Sequence, residues 1–282
     1  MSEQRVIGLI AGGRQFPLMV AKGVKRAGHR LVVATFPGHT DTDVAALADI
    51  SRELKLGKLG ALIAFFRENG VQDVVMAGTI NKSKVLDVRH FDMRALKLIF
   101  RRRDKGDTVL LRTLSREFES EGMRVVPPHE FADDLLTPNG VLSRREPDER
   151  ELADLKFGWD TAKTLGRLDI GQCVIVREGI VAAVEALEGT DAAVRRGGSL
   201  GGPGSVVVKV LKPGQQEQVD MPAVGADTVR SMAEVGATCL GVEAGRSLFF
   251  DRERALTFAA DAGIAVVGID EAFFRERGLS TE

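Results

Sequence analysis

The chain predicts two α/β domains: an N-terminal doubly wound parallel sheet of Rossmann-like type, and a C-terminal α/β domain built on a mixed sheet. Three observations lead there. Short apolar runs at residues 6–11 and 71–77 end in glycine, as strands buried on both faces do. Between them lie segments with apolar residues at helical spacing, which gives the order β-α-β-α-β. The stretch 136–150, LTPNGVLSRREPDER, then changes character and reads as an exposed linker. The expected domains are therefore 1–135 and 151–282, joined by 136–150. A chain of 282 residues is long enough to bury two cores.

In the first half, Gly12-Gly13 closes the first strand and Pro17 sits at a first helical position. Phe16, Met19, Val20, Val24 and Ala27 mark a helix that Gly28 stops. Residues 31–35 form the next strand. Leu59, Leu62, Ile63 and Phe66 mark a second helix, and residues 71–77 a third strand ending at Gly78. The run Arg101-Arg102-Arg103 suits either an anionic ligand or a solvated helix end. Asp107 caps a helix carrying Leu110, Leu111, Leu114 and Phe118, and residues 123–126 are a short strand.

In the second half, a helix over 148–165 presents Leu152, Leu155, Trp159 and Ala162 on one face, with Trp159 packing it onto its domain. Strands over 172–176 and 180–186 join through Glu178-Gly179. Gly189-Thr190-Asp191 then opens a short helix, and Leu200 to Gly204 reads as a flexible loop. Lys209 lies in the strand VVVKV, so its ammonium must leave the core or meet an anion. A helix from Asp227 carries Val229, Met232 and Ala233. The alternation closes with strands over 239–242 and 265–269 around a helix over 252–262.

Charge excludes some functions. The 39 basic and 40 acidic residues are interspersed and the net charge is −1, so no nucleic-acid surface is expected. Cys173 and Cys239 fall in buried strands and read as reduced core residues. No Cys/His cluster has zinc spacing. The first apolar run is too short for a signal peptide, and no run approaches the ~20 apolar residues of a membrane span. A cytoplasmic location is expected, with peripheral association at the inner membrane left open.

The chemistry concentrates at strand ends, where open α/β sheets hold ligands. Gly12-Gly13 and Gly78-Thr79 form two such loops, suited to a phosphate or nucleotide or simply to tight turns. Glu188, Asp191, Asp220 and Asp227 supply carboxylates; Arg195, Arg196, Lys209, Lys212 and Arg246 supply cations. Such a set suits phosphate with Mg²⁺. Thr190 with Asp191, and Asp227, are each readable as helix caps or as ligands. No Ser-His-Asp triad or nucleophilic cysteine is evident.

These segments resemble the LpxI-type UDP-2,3-diacylglucosamine pyrophosphatases of lipid A biosynthesis. The resemblance spans nearly the whole chain. It rests on Gly8-Leu9-Ile10-Ala11-Gly12, Lys105-Gly106-Asp107, Leu136-Thr137-Pro138 and Asp169-Ile170-Gly171-Gln172. It rests further on Ala183-Val184-Glu185, Glu188-Gly189-Thr190-Asp191, Lys212-Pro213 with Gln215, and Asp220-Met221-Pro222 with Asp227-Thr228. It implies two α/β domains with the acylated sugar phosphate bound between them, and Mg²⁺- or Mn²⁺-dependent hydrolysis to lipid X and UMP, water attacking the sugar-side phosphorus. The resemblance places the catalytic aspartate on Asp227, metal ligation on Asp191 and Asp227, and phosphate contacts on Thr190, Lys212 and Gln215. Gly12, Gly13, Gly78, Thr79, Gln172, Glu243 and Arg246 complete the expected substrate contacts. The expected partners are an acylated UDP-sugar and, through it, a membrane surface; a homodimer is left open.

Two stretches depart from the family pattern. Gln216 and Gln218 stand where the family has an acid and an arginine, and Arg14-Gln15-Phe16 alters the first loop. Two rival functions are a Rossmann-type oxidoreductase, disfavoured by the missing G-x-G-x-x-G, and a non-catalytic lipid carrier.

Overall fold

Buried β-branched strands alternating with amphipathic helices set the first unit, which ends at Asp134; the second begins at Leu135. The computed structural model describes residues 4–40, 43–79, 91–100, 107–214 and 221–279. Arg101-Arg102-Arg103, Lys105-Gly106, Gln215, Gln216, Gln218 and Asp220 lie outside the described residues, as do the side chains of 99–100 and 107–110.

The first unit holds a parallel five-stranded sheet. Its strands are β1 (Val6–Ala11), β2 (Arg30–Thr35), β3 (Ile50–Glu53), β4 (Asp73–Ala77) and β5 (Arg124–Val125), in the order β3-β2-β1-β4-β5. The order reverses beside β1, the switch point where such sheets form a crevice. Helices α1 (Phe16–Arg26), α2 (Asp43–Ala46), α3 (Leu59–Glu68), α4 (Met93–Phe100) and α5 (Asp107–Glu119) complete the unit. Pro17 is in the first turn of α1, as its fixed φ favours. Phe65, Phe66, Phe118 and Met123 pack with the strands in one core. The sequence reading omitted α2 and β3. Strand β3 is the sheet edge, its residues after Ile50 are exposed, and ISRE therefore carries no apolar alternation.

The second unit carries a six-stranded mixed sheet and a two-stranded ribbon. The strands are β6 (Gly140–Val141), β7 (Cys173–Arg177), β8 (Ile180–Val184), β9 (Val206–Lys209), β10 (Ala223–Val224), β11 (Cys239–Glu243), β12 (Leu248–Phe249) and β13 (Ala265–Ile269). The large sheet runs β6-β13-β11-β9-β7-β8, and β10 pairs with β12. Strands β9, β11 and β13 are parallel; β7 is antiparallel to both of its neighbours. Helix α6 (Glu149–Arg167) covers one face with Leu155, Trp159 and Ala162, and Trp159 meets Phe274 at 5.8 Å. The other face is covered by α7 (Thr190–Gly201), α8 (Ala226–Glu234) and α9 (Arg252–Asp261). Helix α10 (Glu271–Glu276) follows the last strand.

Two expectations are corrected. Residues 136–150 are not a linker: β6 pairs with β13, Leu136 bridges to Leu248, and Arg145 grips Glu151. Their charges and Asn-Gly turn look solvated in sequence, but the backbone completes a sheet edge and the arginine finds a buried acid. Residues 200–204 are only partly a loop, because α7 continues to Gly201 before the turn.

Candidate functional site

In the first unit, the loops after β1 and β4 lock together. The amide of Gly12 donates to Ala77 O at 2.7 Å, that of Gly13 to Thr79 O at 2.8 Å, and that of Thr79 to Gly13 O at 3.2 Å. Glycine is required for this approach. A Cβ at Gly12 would stand 2.7 Å from the Gly78 carbonyl carbon, and Gly78 itself has φ +88°. The four residues expected here are thus brought together, with the amides of Gly12, Gly13 and Thr79 spent on one another's loops. Beside them, Gly12, Arg14, Gln15, Pro17, Thr40 and Asp43 line a small open cavity of about 160 Å³. Arg14 holds a left-handed backbone, φ +67°.

In the second unit, the strand directions gather most of the remaining candidates at one end of the large sheet. The register sets Cys173 beside Lys209, and Lys209 beside Val242. The amide of Glu185 donates to Cys173 O at 2.9 Å. Gln172, Glu185, Lys209, Lys212, Glu243 and Arg246 therefore lie along this edge, and α7 begins just after it. Lys209 is buried, correcting the expectation that it leaves the core or meets an anion directly. Its Nζ donates to Thr190 Oγ1 at 2.7 Å and to Ala223 O at 2.8 Å. The Thr190 hydroxyl donates to Glu185 Oε1 at 2.8 Å. Burial in this row, with the Glu185 carboxylate beside it, pushes the Cys173 thiol up to about 12, against a smaller opposing pull from Lys209.

Helices α7 and α8 begin together. Gly189 and Gly225 are their N-caps, and neither start is closed by a capping side chain. Each first turn carries an aspartate instead, Asp191 in α7 and Asp227 in α8, whose carboxylate offsets the positive end of the helix dipole. The Thr228 hydroxyl donates to Asp191 Oδ1 at 3.5 Å, which joins the Thr190-Asp191 and Asp227-Thr228 motifs. The Asp227 side chain is 77% exposed and pairs with Arg230 at 3.2 Å.

Other charges are committed within the unit. Lys212 pairs with Asp169 at 2.6 Å, Arg195 with Glu234 at 2.8 Å, and Glu188 with Arg196. Glu243 is buried; it accepts from Lys163 Nζ at 2.6 Å and Leu211 N at 2.7 Å, with Arg246 3.7 Å away. Burial pushes the Lys163 ammonium down, outweighing the opposing pull of Glu243. Sequence reasoning passed over Lys163 and Glu185 as site residues. The signal for Lys163 was its place one turn beyond Trp159, whose ring it covers at 4.7 Å. For Glu185 it was a carboxylate at the end of an apolar strand.

Gln172 Oε1 and Glu185 Oε2 are buried acceptors with no partner among the described residues. No group of three His, Cys, Asp or Glu side chains gathers for a metal among those residues. Asp191 and Asp227 still offer hard oxygen donors on adjoining helix starts. That set fits Mg²⁺ or Mn²⁺, which need one or two carboxylates with water and substrate oxygens, and does not fit zinc.

Two family descriptions match the chain. The LpxI N-terminal domain matches residues 6–135 and the LpxI C-terminal domain residues 138–267. The chain is similar to the UDP-2,3-diacylglucosamine pyrophosphatase LpxI of Caulobacter vibrioides, at 35% identity over 94% of this chain and 98% of that protein. Among solved structures it is loosely similar to a biotin carboxylase from Campylobacter jejuni (13% identity, TM-score 0.29, 70% of this chain and 42% of the other). A phosphoribosylglycinamide synthetase from Anaerococcus prevotii is similarly distant (11%, 0.27, 66% and 40%). The chain spans under half the length of either enzyme, and likenesses this loose carry no argument.

Proposed function

The chain belongs to the LpxI family, and from that premise we propose that it hydrolyses the diphosphate of UDP-2,3-diacylglucosamine. The products are 2,3-diacylglucosamine 1-phosphate (lipid X) and UMP, a step of lipid A biosynthesis. The observation that carries this reading is the contact between Thr228 and Asp191, which unites the two acidic motifs at adjoining, uncapped helix starts. Backbone N–H groups there suit an anionic diphosphate, since the helix dipole favours negative charge. Thr190 and Asp191 enter through the first turn of α7, and Lys212 adds a cation just beyond β9.

Asp227 is exposed and acidic, so it can orient or deprotonate an attacking water. Phosphoryl transfer asks mainly for positioning and charge neutralisation, which this inventory supplies. Asp191 and Asp227 would hold Mg²⁺ or Mn²⁺, whose contribution is to neutralise diphosphate charge. Gln215 is assigned to the phosphates by the family pattern alone. The acylated substrate brings the protein to a membrane surface, at which we propose it acts peripherally; no described helix is long and apolar enough to cross one.

The test is incubation with UDP-2,3-diacylglucosamine, with and without EDTA, following UMP. Release that stops with EDTA and returns with Mg²⁺ supports both the reaction and the metal. Asp227→Ala should lower turnover at least ~100-fold with an unchanged melting profile. A well-folded variant with near-normal UMP release removes Asp227 from the mechanism.

A further inference from the structure

We propose that Glu185 and Lys209 are positioning residues that hold the Thr190 hydroxyl as a hydrogen-bond acceptor toward the reaction site. This rests on the hydrolysis proposed above and replaces the phosphate contact that the resemblance assigns to the Thr190 side chain.

A threonine hydroxyl has one proton and two lone pairs. An ionised carboxylate only accepts, and an ammonium only donates. Glu185 Oε1, 2.8 Å away, therefore takes the Thr190 proton. Lys209 Nζ, 2.7 Å away, occupies one lone pair. One lone pair remains for the substrate side. A diphosphate oxygen at neutral pH is also an acceptor, so it cannot bond this hydroxyl while the network stands. The phosphate falls to the backbone N–H groups of α7, and the hydroxyl accepts from a water O–H.

The network is built into the sheet. Glu185, just past the end of β8, lies beside Cys173 of β7, which lies beside Lys209 of β9. Lys209 is 6% and Glu185 9% exposed. Burying both charges is costly, and the protein leaves Glu185 Oε2 without a partner among the described residues. A carboxylate so poorly satisfied is a weak structural choice. What it does at this place is direct Thr190.

Two measurements test this. The first reads the network independently of any reaction: ¹⁵N spectra of lysine ammonium groups. We expect a slowly exchanging signal, assigned by its loss in Lys209→Met, that broadens in Glu185→Gln and in Thr190→Val. The second is steady-state hydrolysis. Thr190→Val should lower kcat roughly 10- to 100-fold with KM within about threefold, and Thr190→Ser should recover most of the loss. Adding Glu185→Gln to Thr190→Val should cost little more, because both remove one device. Rapid exchange at Lys209 overturns the proposal. So does a Thr190→Val enzyme that keeps kcat and loses KM, the mark of a phosphate contact. If wild-type protein releases no UMP, the proposed reaction fails, and the ammonium spectra alone decide for or against the network.

Discussion

Glu151→Gln should destabilise the second unit more than any exposed charge change. Glu151 is 1% exposed and stands in the first turn of α6, where it completes a capping box with Asp148. Arg145 holds both its oxygens, at 2.8 and 2.9 Å, and the Thr238 hydroxyl donates to it as well. Arg145 also donates to Gly263 O at 2.7 Å. One carboxylate thereby joins the 136–148 segment, α6 and the approach to β11. Glutamine keeps the size and one acceptor oxygen but removes the charge. Breaking a buried pair costs about 3–5 kcal/mol. The Arg145 side chain is 35% exposed and can rehydrate in part, which lowers the figure to about 2–3 kcal/mol. At about 2–4 °C per kcal/mol, Tm should fall by about 4–12 °C at pH 7.

The effect has a definite pH sign. Burial pushes the Glu151 carboxyl up, but Arg145, Thr238 and the Asp148 backbone together hold it below its ordinary 4.5. A lowered folded value means stability that is full above the unfolded value and lost as pH falls through the folded one. The wild-type advantage should therefore be full at pH 7 and shrink below about pH 4.5. Thermal melts by circular dichroism at pH 7 and pH 3.5 measure both. A difference under ~1 °C at pH 7, or one that grows with acid, refutes the reasoning.

Three further outcomes follow from the packing. Gly78→Ala should destabilise the first unit by about 1–3 kcal/mol, since φ is +88° and the new Cβ would stand 2.6 Å from Gly13 O; an unchanged denaturation midpoint contradicts this. Gly171→Ala would set a Cβ 1.9 Å from Glu185 O, so kcat should fall along with stability, and a loss of stability without loss of kcat would detach Glu185 from the site. Cys173 and Cys239 are fully buried with their thiols pushed up, chiefly by burial, so a thiol reagent at pH 8 should label neither until the protein unfolds. Prompt labelling of native protein would contradict that packing.

The sequence by itself determined the class of fold, most of its elements and the family. Unbroken apolar strands, helical spacing and glycine stops are local signals, and strand β1 falls on residues 6–11 as its apolar run requires. The motifs at 188–191 and 227–228 were legible as chemistry because carboxylate, hydroxyl and glycine stand together in the chain. Only the tertiary structure decided which of these meet. Strand order is a long-range property, so no local pattern put Glu185, Cys173 and Lys209 in one row or turned Thr228 onto Asp191. The same holds for residues 136–150. Their polarity suggests solvent, yet pairing with the distant strand β13 and the buried carboxylate of Glu151, directly after the segment, draw them into the second unit's sheet and core.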